Sequence, residues 1–193
     1  MQLYQGNFRY AAMKALELAA THTNGIAIAV SDEMYFAVGK QPNTHNLQSI
    51  SELNGDIYEG QWNGGTCVVF PGDLSLCMIN NTITDFAHVC LDKIQEYLTK
   101  RGLIVRKTGN DLLLYEYPTA IGRKVASCGD SYKEDKYFEA VVHVSIGMDE
   151  GIINQVCTKK QTKRPMGLGQ YGITAEQVLA YLKTTVTELA ENN

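Results

Sequence analysis

Apolar residues recur along this chain at two spacings, and the switches between them mark out its elements. Over residues 8–20, Phe8, Ala11, Ala12, Ala15, Leu16 and Ala19 fall three and four positions apart, which predicts one face of a helix. Residues 26–30 and 34–38 are short apolar runs parted by Ser31-Asp32-Glu33, which predicts a strand hairpin. A short helix over 44–53 leads into an extended stretch over 56–62. Beyond Gly64-Gly65 a strand follows at 66–70, Pro71-Gly72 turns the chain, and the extended pattern resumes over 74–79. Residues 85–100 carry Phe86, Val89, Cys90, Ile94, Tyr97 and Leu98 at helical spacing, closed by Arg101-Gly102 as a C-cap. Strands are then predicted over 103–105, 112–117, 123–127 and 137–146. A last helix spans 173–190, with Thr174 as N-cap, Gln177 completing a capping box, and Val178, Leu179, Leu182, Val186 and Leu189 on one face.

Runs of strands with helices at the start, middle and end describe an α+β fold, its sheet mixed and largely antiparallel and packed with helices. The 193 residues hold only four prolines, and no repeat or low-complexity tract, so residues 1–193 are read as a single domain.

Composition narrows the partners. With 17 Lys+Arg against 21 Asp+Glu the net charge is -4, so no global charge draws the chain to nucleic acid or anionic lipid. No apolar run approaches the roughly 18 to 20 residues that span a bilayer, and the N-terminal stretch is amphipathic rather than signal-like. The expectation is a cytoplasmic protein with neither nucleic-acid nor membrane partners. The five cysteines form no CxxC pair or Cys/His ladder, so free thiols are expected rather than a disulfide framework or zinc site.

Three constellations carry candidate chemistry. Asn63-Gly64-Gly65-Thr66 lets backbone N–H groups approach an anion or acyl chain closely, although an ordinary hairpin has the same pattern. Asn110-Asp111 is followed by Lys124 within Gly122-Arg123-Lys124; if neighbouring strands present both to one pocket, the carboxylate can hold Mg²⁺ while the ammonium neutralises a phosphate or polarises an acyl carbonyl. Cys157 stands before the basic run KKQTKR, and cationic neighbours lower a thiol pKa, which makes it the cysteine best placed to be nucleophilic. His143, between Val142 and Val144, reads better as a satisfied core histidine than as a general base.

Taken in order, these pieces resemble the catalytic domain shared by lipoate-protein ligases, octanoyltransferases and biotin-protein ligases. NFRYAAMKALELA resembles its opening helix, and YFAVGKQPN its strand ending in a Gly-[Arg/Lys]-x-Gln-Asn phrase. NGGTCVVFPGDLSLCMI parallels GGGxVxHxxGxLxxS without a gap, GNDLLLYEYPTAIGRKVASCG resembles the RNDL...GRKIxGxA block, and ITAEQVLAYLKTTV resembles the closing helix. The likeness spans about residues 8–186.

The resemblance implies an acyl-transfer enzyme that attaches lipoate or octanoate to a lysine of a lipoyl-carrier protein domain. A ligase uses ATP and Mg²⁺ and passes through an acyl-adenylate. Lys124 is then catalytic, Asp111 holds Mg²⁺ or ATP, Asn110 meets the adenine side, and Gly64 and Gly65 line the acyl tunnel. An octanoyltransferase instead carries the acyl group on a cysteine thioester and needs no cofactor, and Cys157 fits that role by chemistry and approximate position. The sequence departs from the pattern where the phosphate-gripping arginines are expected: Gly60, Gln61 and Trp62 stand there, with Asn63 on the first glycine and Val69 on the histidine. Two alternatives follow from those departures: a catalytically degenerate binding or assembly module, and a biotin-protein ligase, whose arginine-rich loop EGQWNGG matches only in its tryptophan.

Overall fold

In the computed structural model, residues 2–6, 25–38, 56–59, 66–80, 86–118, 121–133, 137–152 and 165–191 are described. The helices expected over 8–20 and 44–53, Gly64, Gly65 and Cys157 lie outside the described residues. Among the described residues there are ten strands: β1 (Gln2–Gly6), β2 (Gly25–Val30), β3 (Tyr35–Val38), β4 (Asp56–Glu59), β5 (Thr66–Val69), β6 (Leu74–Asn80), β7 (Val105–Thr108), β8 (Asp111–Tyr115), β9 (Gly122–Lys133) and β10 (Tyr137–Val144). Seven form one sheet in the order β1-β2-β6-β10-β9-β8-β7, and β4-β3-β5 form another. In the larger sheet only β1 and β2 run parallel. The fold is α+β, as the sequence predicts.

Helix α1 (Phe86–Lys100) forms where apolar spacing was strongest, and it buries Phe86, Ala87, Cys90, Leu91, Ile94, Tyr97 and Leu98. It lies across β7 to β10 and against α2 (Ala175–Glu191). The core joins this stripe to Leu74, Leu76, Leu112, Leu114, Val142 and Val144 of the sheet and to Val178, Leu182 and Val186 of α2. Each such side chain withdrawn from water stabilises the fold by roughly 1.5–3 kcal/mol before entropy is subtracted. Gly102, at φ +83°, ends α1 as expected. At α2 the capping box is made: Gln177 N–H donates to Thr174 Oγ1 and Thr174 N–H to Gln177 Oε1, each at 3.3 Å. No described helix is long and apolar enough to cross a membrane.

Some strand boundaries move from those expected. β7 begins where the 103–105 stretch ends, because Leu103 N–H is taken by Leu98 in the turn that closes α1. β9 runs to Lys133 rather than 127, since β10 pairs with it residue by residue over that length. β1 has no counterpart among the predicted elements.

Candidate active site

Register alone sorts the large sheet into two unlike faces. Residues directly opposite in neighbouring strands share a face. On the face under α1 lie Leu76, Val142 and Cys128 in one row and Leu74, Val144 and Ala126 in the next. The other face carries a second row: Thr108, Asp111, Ser127, His143, Ser75 and Ala29. Ser31 extends it past Ala29, where its N–H donates to the Asp73 carbonyl at 2.9 Å, and Ser145 lies two residues beyond His143. Ser31, Asp73, Ser75, His143 and Ser145 are the buried polar residues among those described, and all belong to this second face.

Lys124 reaches that face through an irregularity. In an unbroken strand, residues 124 and 126 would point the same way, and Ala126 belongs to the core. Between Leu112 and Leu113 the register slips: Ala126 opposes Leu112, while Lys124 opposes Leu113, leaving Val125 extra. Val125 and Ala126 both pack into the core, and Lys124 turns to the side of Asp111 and Ser127. Such bulges re-aim a side chain at the cost of one ladder bond. The backbone is then held on both sides, because Met166 N–H donates to the Lys124 carbonyl at 2.8 Å and Lys124 bridges to Pro165. Lys124 is half-buried.

Asp73 anchors the end of the row. Its carboxylate accepts from the Phe70 N–H (2.9 Å), the Ile146 N–H (2.6 Å) and the Gly147 N–H (2.9 Å), and His143 Nε2 stands 3.0 Å from Oδ2. Burying a charge is costly unless every lone pair finds a donor, which this arrangement supplies. His143 is thereby a core histidine paired with a carboxylate, the reading its strand position favoured.

Asn110 and Asp111 occupy the β7–β8 turn, where Gly109 takes φ +60°. The Asn110 carbonyl accepts from the Cys128 N–H at 2.8 Å, tying the turn to β9. Asp111 is half-buried and Asn110 exposed. Of the thiols, Cys90 sits in the core, where burial pushes it up to about 12, so it is an unreactive packing residue. Arg123, pointing opposite to Lys124, pairs with Glu150 at 2.9 Å and lines a cleft of about 510 Å³ with Met148, Met166 and Gly167. Lys124 is not part of that cleft's lining.

The structure therefore brings Lys124 and Asp111 to one face and keeps Asn110 at its edge. Sequence reasoning missed Ser75, Ser127 and the role of Asp73. Period-2 alternation marks a face only once register is known, and the bulge leaves no mark in the sequence.

No family model matches the sequence, and no curated protein matches it. Solved structures do. LipL1 of P. falciparum in complex with lipoate superposes with a TM-score of 0.75 at 16% identity, over 100% of this chain and 62% of that one. The bipartite lipoate protein ligase of Thermoplasma acidophilum, described with its E2 lipoyl domain, gives 0.70 at 12%, over 97% and 82%. A lipoate-protein ligase A bound with ATP gives 0.70 at 12%, over 94% and 81%. At these identities the likeness is one of fold. The chain has the α+β catalytic-domain fold of the lipoate-protein ligases in a divergent sequence, and it spans 62% of the length of LipL1.

Proposed function

We propose that the chain, acting as one catalytic domain over residues 1–193, is an acyl transferase or ligase that attaches lipoate or octanoate to a lysine of a lipoyl-carrier domain. The observation that carries this reading is the bulge at Val125, which turns Lys124 onto the polar face beside Asp111. The neighbours support it: their descriptions include lipoate, ATP and a lipoyl domain.

In the ATP-dependent form, a carboxylate oxygen of the acyl substrate attacks the α-phosphate, pyrophosphate leaves, and the carrier amine then displaces AMP to form the amide. Lys124 donates hydrogen bonds to the acyl carbonyl and the phosphate oxygen as negative charge gathers there. Asn110 meets the adenine, and Gly64 and Gly65 line the acyl tunnel. Mg²⁺ characteristically takes one or two carboxylates and completes its shell with phosphates and water. Asp73 is committed to its four donors, whereas Asp111 lies half-buried on the face that Lys124 shares. Asp111 is then the carboxylate to hold the ion, whose chemistry is to neutralise the phosphates. In the thioester form, the Cys157 thiolate attacks an acyl thioester donor, the donor's thiol leaves, and the carrier lysine then displaces Cys157 to form the amide, so no ATP is needed.

Incubation with a lipoyl-carrier domain and either labelled free octanoate or lipoate with ATP, or a labelled octanoyl thioester without ATP, separates the two. Transfer dependent on ATP identifies the ligase; a hydroxylamine-labile adduct lost in Cys157→Ala identifies the transferase. Lys124→Ala lowers transfer by about 100-fold or more in either form. Full activity in Lys124→Ala defeats the proposal. So does the absence of any transfer together with no heat of binding for ATP, lipoate or octanoate, the outcome that favours a non-catalytic binding module.

A further inference from the structure

Where the resemblance leads one to expect phosphate-gripping arginines, this sequence has Gly60, Gln61 and Trp62. The register of the large sheet supplies an arginine from elsewhere. Arg106 on β7 stands opposite Leu113 on β8, and Leu113 stands opposite Lys124 on β9. The three share one face, with the backbones of Arg106 and Lys124 roughly 10 Å apart across two strand spacings. The neighbouring Lys107 points the other way, to α1, where it pairs with Asp92. That contact independently fixes the direction of Arg106.

Arg106 is held in place without being neutralised. Its guanidinium carbon lies 5.3 Å from the centroid of the Tyr115 ring, a cation–π distance. Tyr115 is itself seated over Gly122: a Cβ at that glycine would stand 2.8 Å from the ring's Cζ. The ring fills the space a side chain would take and fixes the platform on which the guanidinium rests.

Several other described cations are already engaged. Lys93 and Lys100 pair with Glu96, Lys107 with Asp92 and Arg123 with Glu150. Among the described residues, neither Arg106 nor Lys124 has a carboxylate partner within salt-bridge distance. Arg106 is exposed, Lys124 half-buried, and the buried Leu113 lies between them. In a chain of net charge -4, two cations on one face without a carboxylate partner among the described residues suit a multiply charged anion. The single carboxylate of an acyl substrate engages one of them. A phosphate chain engages both, and guanidinium is the group suited to forked binding of its oxygens.

We propose that Arg106 and Lys124 form a two-cation clamp for the polyphosphate of a nucleoside triphosphate, with Arg106, held by Tyr115, replacing the arginines absent before the glycine turn. This rests on the ATP-dependent form of the reading above and gives it a specific binding residue. Lys124 meets the reacting phosphate, and Arg106 holds the phosphates that depart.

Calorimetric titration of the full chain with ATP and Mg²⁺ tests it, using wild type, Arg106→Gln, Arg106→Lys and Arg101→Gln. The last is a control, since Arg101 is also exposed and also rests on a tyrosine ring, that of Tyr97. Arg106→Gln is expected to weaken ATP binding by about tenfold or more. Arg106→Lys should recover part of the loss, and Arg101→Gln should match wild type. Binding of lipoate or octanoate should be unchanged in all four, and an unchanged melting temperature shows that the variants fold. ATP bound equally well by wild type and Arg106→Gln overturns the clamp and leaves the ligase reading standing. A wild type that binds no ATP overturns both.

Discussion

The two faces of the seven-stranded sheet are made by the same strands and obey opposite rules. Under α1, the core positions of the sheet are mostly close-packed aliphatic groups, and stability comes from many small, non-directional contacts. On the other face, the buried positions include three serines, a histidine and an aspartate beside Ala29 and Leu113. What holds that side is directional: one carboxylate ties a turn, a strand and a loop together through four donors. The difference shows that the strands were not merely half-buried. One face stores stability and the other stores geometry.

Breaking the polar anchor should produce the largest stability loss. Asp73→Ala strips His143 and three N–H groups, two of them buried, of their acceptor at once, and is expected to cost about 3–5 kcal/mol in urea unfolding. Asp73→Asn keeps an oxygen for part of the network and should cost less. Truncating the apolar face at Leu91→Ala should cost about 2–5 kcal/mol through the cavity it leaves. Its residual transfer activity, assayed at a temperature where it remains folded, should stay near wild type. Lys124→Ala should show the reverse pattern: activity lost, unfolding midpoint unchanged. If Leu91→Ala abolished activity in the folded protein, the division of labour between the faces would fail. The smallest effect belongs to the cap of α2, where Thr174→Ala should cost about 1 kcal/mol and leave transfer untouched.

Helices and their ends were legible in the sequence because their signals are local. The stripe from Phe86 to Leu98, Gly102 as terminator and the Thr174–Gln177 box each act within a few residues, and the structure reproduces them. Most described strands were legible as segments but not as neighbours. The order that places β6 between β2 and β10 comes from contacts far apart in the chain. That order decides which side chains meet. Asp111 and Lys124 were picked out by chemistry, yet their shared face depends on the slip at Val125, to which no residue type points. Arg106 was invisible for the same reason: only pairing across β8 sets it in line with Lys124. The role of Asp73 was illegible because its partners at 143, 146 and 147 lie seventy or more residues away.

Gly147 carries a consequence for the descent of this chain. A methyl group there would collide with the Pro71 carbonyl at 1.7 Å, so the loop after β10 and the turn before β6 are locked against each other through bare backbone. Any substitution at 147 must be accompanied by a displaced Pro71–Gly72 turn, and with it a displaced Asp73. Position 147 is therefore a tracer: relatives that keep glycine there have kept this corner of the molecule, and those that have lost it have rebuilt the corner on another plan.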